Sequence, residues 1–291
     1  MPQNRRTFIR NTGLAAAAVF AGAKPLLALS GEAERSSAPF GIQVYSVKED
    51  MQADFRTTLK RLSEFGYRQI ESFEGAEGMF WGMGNKGFAA YIKELGMELT
   101  ASHCDVSKDL ERKAAEAAEI GMRYLICPWL GPQKSIDDFM RYADAFNKAG
   151  EVCRKNGIRF AYHNHDYSFK VLDGKIPQQV LMENTDSQLV DFEMDIYWVV
   201  TAGEQPEEWL KKHPGRFRLC HIKDRMKEPL PENKNSSCRL GTGVIPFATI
   251  LKTAKANGMQ YYFAEQEYYA GGTPLDSAKA NAGYLRKLVR N

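Results

Sequence analysis

The chain has 291 residues, 44% of them hydrophobic, enough for one large domain or two small ones. Its 39 basic and 36 acidic residues leave a net charge of +3, and no run of Lys and Arg interleaved with aromatics lies beyond the N-terminus, so the footprint of a nucleic-acid binder is missing. Five scattered cysteines with no C-x-x-C pair exclude a disulfide framework and a cysteine-type zinc motif, leaving buried free thiols as the expectation.

Residues 1–37 read as an export signal and short linker. Asn4-Arg5-Arg6-Thr7-Phe8-Ile9-Arg10 is a twin-arginine pattern, followed by a small-residue apolar stretch from Leu14 to Ala23. That core is about ten residues long, where a membrane span needs about 20, so stable membrane insertion is not expected. The expected destination is the periplasm, by twin-arginine export in the folded state.

From Phe40 the pattern is strand then helix, eight times. The strands expected are Phe40–Val47, Gln69–Phe73, Glu98–Cys104, Tyr124–Pro128, Arg159–His165, Leu189–Asp195, Arg218–Lys223 and Tyr261–Glu267. Helical stripes fill the gaps, such as Phe55, Leu59, Leu62 and Phe65, which stops at Gly66. A Gly shortly before a strand recurs (Gly66, Gly96, Gly121, Gly157, Gly258), as expected of the αβ turn in a repeated unit. Eight units in about 250 residues predict a single (β/α)8 TIM barrel over residues 38–291. A doubly wound sheet would announce a G-x-G-x-x-G first turn, and strand one runs instead into Tyr45-Ser46-Val47-Lys48. The long stretch Asp224–Ile245, rich in Pro, Asn and Gly, is expected to be a lid or binding loop at the C-terminal rim.

Ionisable residues recur at every second position where the apolar runs end: His103/Asp105, His163/His165, Glu193/Asp195, His221/Lys223 and Glu265/Glu267. A strand alternates faces with period two, so each pair shares a side. The residues between them are mostly apolar and belong against the helices, which turns the pairs inward, together with Gln43/Tyr45, Glu71 and Asp191. Asp195, His221, Glu265 and one strand-five histidine, His163 or His165, can then converge at the mouth. Imidazoles with carboxylates suit one divalent metal: Mn, Zn, Co or Fe.

The motifs Phe40-Gly41-Ile42-Gln43-Val44-Tyr45-Ser46, Tyr162-His163-Asn164-His165-Asp166, Glu193-Met194-Asp195-Ile196-Tyr197-Trp198, His221-Ile222-Lys223-Asp224, Gly241-Thr242-Gly243-Val244-Ile245 and Glu265-Gln266-Glu267 resemble the sugar phosphate isomerase/epimerase group of the xylose-isomerase-like barrel superfamily. The resemblance runs from about residue 40 to the end. It implies one metal held by an acidic residue on strand five, Asp195, His221 and Glu265. On strand five this chain departs from the family, with His163 where relatives carry a glutamate. His163 then stands as ligand and His165 as the free proton-transfer group. Epimerases of the superfamily use two glutamates, so a histidine in one place favours an asymmetric course: enolisation with one base, then isomerisation or elimination of a hydroxyl.

On this reading the chain is an exported, metal-dependent sugar isomerase or epimerase that removes a proton next to a carbonyl. Its alternative is a lyase or dehydratase acting on a keto-sugar or 3-keto-glycoside, and a further alternative is a non-catalytic sugar-binding barrel. His165 and Glu265 are the candidate acid/base groups, and Lys223 could hold an oxyanion. Tyr45, Glu71, His103 and Trp198 could contact the sugar. Glu71 and Glu193 could instead pair with Lys or Arg inside the barrel, and Lys223 with Asp224 or a rim carboxylate. The expected partner is a small sugar, unphosphorylated because phosphorylated sugars are largely intracellular and no Gly-rich phosphate cradle is present unless Gly241-Thr242-Gly243 serves. AP endonucleases share the superfamily but need several metals, which five histidines and no basic stripe cannot readily supply.

Overall fold

A strand buried on both faces reads as a short, nearly continuous apolar run, and such runs are the spine of this fold. The computed structural model describes residues 39–229 and 235–288. The expected export signal and the middle of the loop after strand seven lie outside the described residues. Eight parallel strands close a barrel: β1 (Gly41–Gln43), β2 (Gln69–Phe73), β3 (Glu98–His103), β4 (Tyr124–Cys127), β5 (Arg159–His163), β6 (Val190–Asp195), β7 (Phe217–Ile222) and β10 (Tyr261–Ala264), the last pairing with both β7 and β1. Helices return the chain between them: α1 (Lys48–Phe65), α2 (Gly84–Glu94), α3 (Leu110–Glu119), α4 (Ile136–Lys155), α5 (Pro177–Asn184), the short pair α6 (Ile196–Thr201) and α7 (Pro206–Lys212), then α8 (Phe247–Ala256) and α9 (Pro274–Leu288). The expected (β/α)8 barrel is the architecture observed. Gly66 ends α1 at φ +103°, a left-handed conformation that costs a residue without Cβ nothing.

Two apolar regions result from the alternation. Outward residues such as Ile70, Leu125, Phe160, Phe192 and Cys220 join the large core between sheet and helices. Inward residues Ala101, Tyr124, Ile126, Ala161, Leu219 and Phe263 form a separate plug across the barrel interior. A fully buried ring such as Phe263 contributes about 1.5–3 kcal/mol through burial. At this level Tyr124 Oη donates to Asp191 Oδ2 at 2.8 Å and Arg159 Nη2 to Asp191 Oδ1 at 2.8 Å, so Asp191 faces inward but serves the barrel's structure.

Alternation holds only as long as the ladder does. Strand one stops at Gln43, whose side-chain oxygen accepts the Tyr45 N–H at 3.0 Å and turns Val44–Val47 into a 3-10 helix. Tyr45 therefore leaves the interior for the rim, 36% exposed. Asp105, expected inside, lies beyond β3 on the surface, where its carboxylate accepts the Ser107 N–H at 3.0 Å. His165 likewise sits past the end of β5.

The loop after strand seven is pinned within its described part. β8 (Asp224–Arg225) and β9 (Ser237–Cys238) form an antiparallel ribbon. Ser237 Oγ accepts the Glu267 N–H at 2.9 Å, and Asn281 Oδ1 accepts the Leu240 N–H at 2.9 Å. The Asp224 carboxylate accepts N–H groups of Arg225 (2.8 Å), Gly241 (2.9 Å), Gly243 (2.9 Å) and Ile245 (3.2 Å). Gly243 must lack a side chain there, because a Cβ would meet Asp224 Oδ1 at 2.3 Å. The backbone of Gly241-Thr242-Gly243 is thus filled by this protein's own carboxylate and offers no phosphate cradle. Cys104, Cys127, Cys153 and Cys220 are buried free thiols, and Cys238 is a half-buried one. Among the described residues no helix is long and apolar enough to cross a membrane.

Candidate metal centre and active-site cavity

Above the apolar plug, the next inward positions carry Gln43, Glu71, His103, His163, Glu193 and His221, all at most 8% exposed. Burying so many ionisable groups is tolerable only when each is paired and hydrogen-bonded. His103 Nε2 lies 2.8 Å from Glu193 Oε2 and 3.2 Å from Glu71 Oε1. His163 Nδ1 is 3.0 Å from Glu193 Oε2, and His221 Nε2 is 2.7 Å from Glu71 Oε1. Gln43 Nε2 donates to Glu71 Oε1 at 2.7 Å. The partners of Glu71 and Glu193 are therefore imidazoles and an amide, where the sequence suggested Lys or Arg.

One layer higher stand Asp195 and Glu265, ending β6 and following β10. Asp195 is placed by three contacts. Its N–H donates to Asn164 Oδ1 and its carbonyl accepts from Asn164 Nδ2, both at 3.2 Å, and its Oδ1 caps α6 by accepting the Trp198 N–H at 3.0 Å. Oδ2 is left buried without a hydrogen-bond partner, 3.8 Å from both His163 Nε2 and Lys223 Nζ. Glu265 Oε2 lies 3.2 Å from His221 Nδ1 and accepts from Lys223 Nζ at 3.1 Å. Ligand atoms of Asp195, His221 and Glu265 all fall within 4.8 Å of one another, and those of His103, His163, Glu193 and His221 form a second such group. Of the four expected ligands, three thus share one group, while His163 falls in the other, with its Nε2 3.8 Å from Asp195 Oδ2. An orphaned buried carboxylate oxygen among imidazole and carboxylate donors is the chemistry a divalent cation fits.

The charges interlock. Burial would raise the Glu71 carboxyl, but His103 and His221 outweigh it and hold it well below the usual carboxylate range. Burial, with Glu71 close by, pushes Glu193 up to about 7. Burial takes Asp195 up to about 7 against the pull of Lys223. His103 is pushed up to about 9, because Glu71 and Glu193 overcome the effect of burial. Lys223 stays charged well above its ordinary range, since Glu265, Glu267 and Asp195 overcome burial.

A cavity of about 620 Å³ opens above these groups, lined by Tyr45, His103, His163, His165, Glu265 and Glu267 among others, with Glu74, Asp105 and Lys113 on one side and Trp129 on another. His165 is framed by aromatics: Trp129 edge-on at 4.5 Å between ring centroids, Tyr167 stacked at 5.7 Å and Trp198 at 5.3 Å. Its Nδ1 has no hydrogen-bond partner, and burial takes the imidazole down to about 3, so the ring is neutral.

The expected sugar-contacting set divides. Tyr45 and His103 line the cavity. Glu71 is buried within the histidine layer and does not line the cavity, and Trp198 packs beside His165 and over Lys223 Nζ at 5.3 Å. Lys223 is fully buried and held by Glu265 and Glu267, while Asp224 serves the loop, so of the two pairings expected for Lys223 the one with a rim carboxylate forms and the one with Asp224 does not. Trp129, 55% exposed at the rim, was not among the expected residues, although an aromatic two positions past β4 was the available signal.

The profile of the family described as xylose isomerase-like TIM barrel matches residues 59–288. Among solved structures, a sugar phosphate isomerase/epimerase from Parabacteroides distasonis is 27% identical, with a TM-score of 0.75, covering 87% of this chain and 95% of its own. Among relatives by sequence, an inosose dehydratase from Clostridium perfringens is 28% identical over 166 residues, 52% of this chain and 55% of the relative. An inosose dehydratase 2 from Bacillus cereus is 26% identical over 204 residues, 62% of this chain and 68% of the relative. The chain spans about half the length of the first of these relatives. A closed eight-stranded parallel barrel and a profile match over most of its length agree: the chain belongs to the xylose isomerase-like TIM barrel family.

Proposed function

We propose that this chain is a divalent-metal-dependent enzyme that removes a proton next to the carbonyl of a keto-sugar and then expels a β-hydroxyl as water. The observation that carries the reading is His165, which lines the cavity above the orphaned Asp195 oxygen and stands outside the carboxylate layer that engages His103, His163 and His221. His163, Asp195, His221 and Glu265 would hold the cation, and their mixed donors suit Zn, Mn, Co or Fe. Bound there, the cation supplies Lewis-acid stabilisation of the negative charge that develops on the carbonyl oxygen. His165 takes the proton from carbon, and the electron pair of that C–H bond moves toward the carbonyl. The protonated imidazole then delivers its proton to the departing hydroxyl as the β C–O bond breaks and a C=C bond forms. Lys223 holds Glu265 and Glu267 in place and offsets their charge. The inosose dehydratase relatives support the elimination.

A second reading, isomerisation or epimerisation, has the same first step, with the proton returned to carbon, and the match to a sugar phosphate isomerase/epimerase favours it. Export of the folded enzyme through residues 1–37 is part of the proposal, supported by the Asn4–Arg10 pattern. The test is to incubate zinc- or manganese-loaded protein with keto-sugars and 3-keto-glycosides in D₂O. We expect solvent deuterium in recovered sugar or the ultraviolet absorbance of an unsaturated ketone. His165→Gln should lower either signal by about 10²–10⁴, the usual share of a general acid or base. Equal rates for wild type and His165→Gln, or no signal from any sugar, would overturn the mechanism.

A further inference from the structure

Both imidazoles of the proposed metal set face two ways. His163 turns Nε2 toward Asp195 Oδ2 at 3.8 Å and Nδ1 toward Glu193 Oε2 at 3.0 Å. His221 does the reverse, with Nδ1 toward Glu265 Oε2 at 3.2 Å and Nε2 toward Glu71 Oε1 at 2.7 Å. Each ring therefore shows one nitrogen to the upper ligand group and the other to a fully buried carboxylate. His103 Nε2 touches both carboxylates, at 2.8 and 3.2 Å, and ties them into one layer.

We propose that Glu71 and Glu193, bridged by His103, are positioning residues that fix which nitrogen of His221 and of His163 carries the hydrogen, and so which nitrogen binds the metal. This rests on the metal reading above. A ligating imidazole must offer a lone pair to the ion, so its hydrogen must sit on the other nitrogen. A carboxylate accepting that N–H holds the ring in the ligating tautomer and orientation and makes the ligand more basic. The arrangement assigns Nε2 of His163 and Nδ1 of His221 as the ligating atoms, a mixed choice that the sequence does not encode. It leaves His165 outside the layer, consistent with a free proton-transfer group. The competing use of the same residues is a deeper cation site, since ligand atoms of His103, His163, Glu193 and His221 lie within 4.8 Å and Glu193 Oε1 has no partner. Against it, each imidazole nitrogen facing that group already meets a carboxylate, whereas Asp195 Oδ2 above accepts no hydrogen bond and has His163 Nε2 and Lys223 Nζ only at 3.8 Å.

The test uses the full chain with Zn²⁺ as probe. Zinc affinity is read by competition with a chromophoric chelator, and two-bond ¹H–¹⁵N spectra of ¹⁵N-histidine protein report the tautomer of each ring. We expect Glu193→Gln and Glu71→Gln each to weaken zinc binding about 10–100-fold, with Glu193→Asp recovering part of the loss. The wild-type spectrum should show one ring ligated through Nε2 and one through Nδ1, and this measurement stands even if a variant does not fold. Wild-type affinity and tautomers in both Gln variants would overturn the inference, as would ligation through the opposite nitrogens. So would loss of zinc in His103→Ala with retention in Asp195→Ala, which would put the ion in the deeper group. A wild type that binds no zinc, manganese, cobalt or iron would instead defeat the metal reading itself, and is told apart because no variant is then needed to see it.

Discussion

Replacing Asp224 with Ala removes a single carboxylate that accepts four backbone N–H groups, from Arg225, Gly241, Gly243 and Ile245. A hydrogen bond to a charged group contributes about 1.5–3 kcal/mol when water cannot replace it. Here Ile245 is buried and Arg225 and Gly243 are half-buried, while Gly241 is exposed, so water recovers part of the loss. The net destabilisation should be about 3–5 kcal/mol, which for a domain of this size is a fall in Tm of roughly 10 °C. Because N–H groups converging on one point form an anion-binding concavity, phosphate or sulfate should restore part of that Tm in Asp224→Ala and do nothing comparable to the wild type. The assay is a thermal melt by circular dichroism with and without phosphate. A melt for Asp224→Ala within 2–3 °C of wild type, on the scale of about 1 kcal/mol, would refute the clamp.

Asp195→Ala and His221→Ala should each lose the metal and activity yet keep a folded barrel, checked by elemental analysis beside circular dichroism; full occupancy in both variants would remove them from the ligand set. Metal affinity should fall as the pH is lowered. Burial opposes protonation of His221, but Glu193, Glu265 and Glu71 outweigh it and hold the imidazolium well above the ordinary histidine range. A cation arriving near pH 7 must therefore displace that proton, which makes Kd rise about tenfold for each unit of falling pH per proton released. Calorimetry in buffers of different ionisation enthalpy counts those protons, and a Kd independent of pH would contradict the prediction. Arg5→Lys with Arg6→Lys should retain the protein in the cytoplasm, since lysine lacks the guanidinium geometry; fractionation showing normal export would point to the general secretory route.

Much of the interior was legible because a strand has only two faces. Alternation placed Glu193 and Asp195, His221 and Glu265 inside the barrel, and the apolar residues before them supplied both the helix-facing core and the plug. It failed where the ladder ended. Tyr45 and Asp105 follow the last paired residue, and there a side-chain oxygen accepting a nearby backbone N–H, Gln43 from Tyr45 or Asp105 from Ser107, sets direction in place of the pleat. Partner identity was less legible still. Glu193 meets His103 across 90 residues of sequence, and His221 meets Glu71 across 150, distances over which spacing carries no information. For the same reason sequence left His163 and His165 as alternatives: both are histidines of one face, and only the separate surroundings, carboxylates for one and aromatic rings for the other, distinguish them. Trp129 escaped notice because it belongs to no ionisable pair.

The plug of Ala101, Ile126, Leu219 and Phe263 has a consequence for traffic. It makes the barrel a blind well, with the rim beside Trp129, Tyr45 and Glu267 as the way in to the cavity above the histidines. Among the described residues, a molecule that enters the cavity and the water it displaces pass on the rim side of the plug. A long or branched molecule can therefore present only an end to the bottom of the well, and whatever remains attached to that end must stay outside, against the rim.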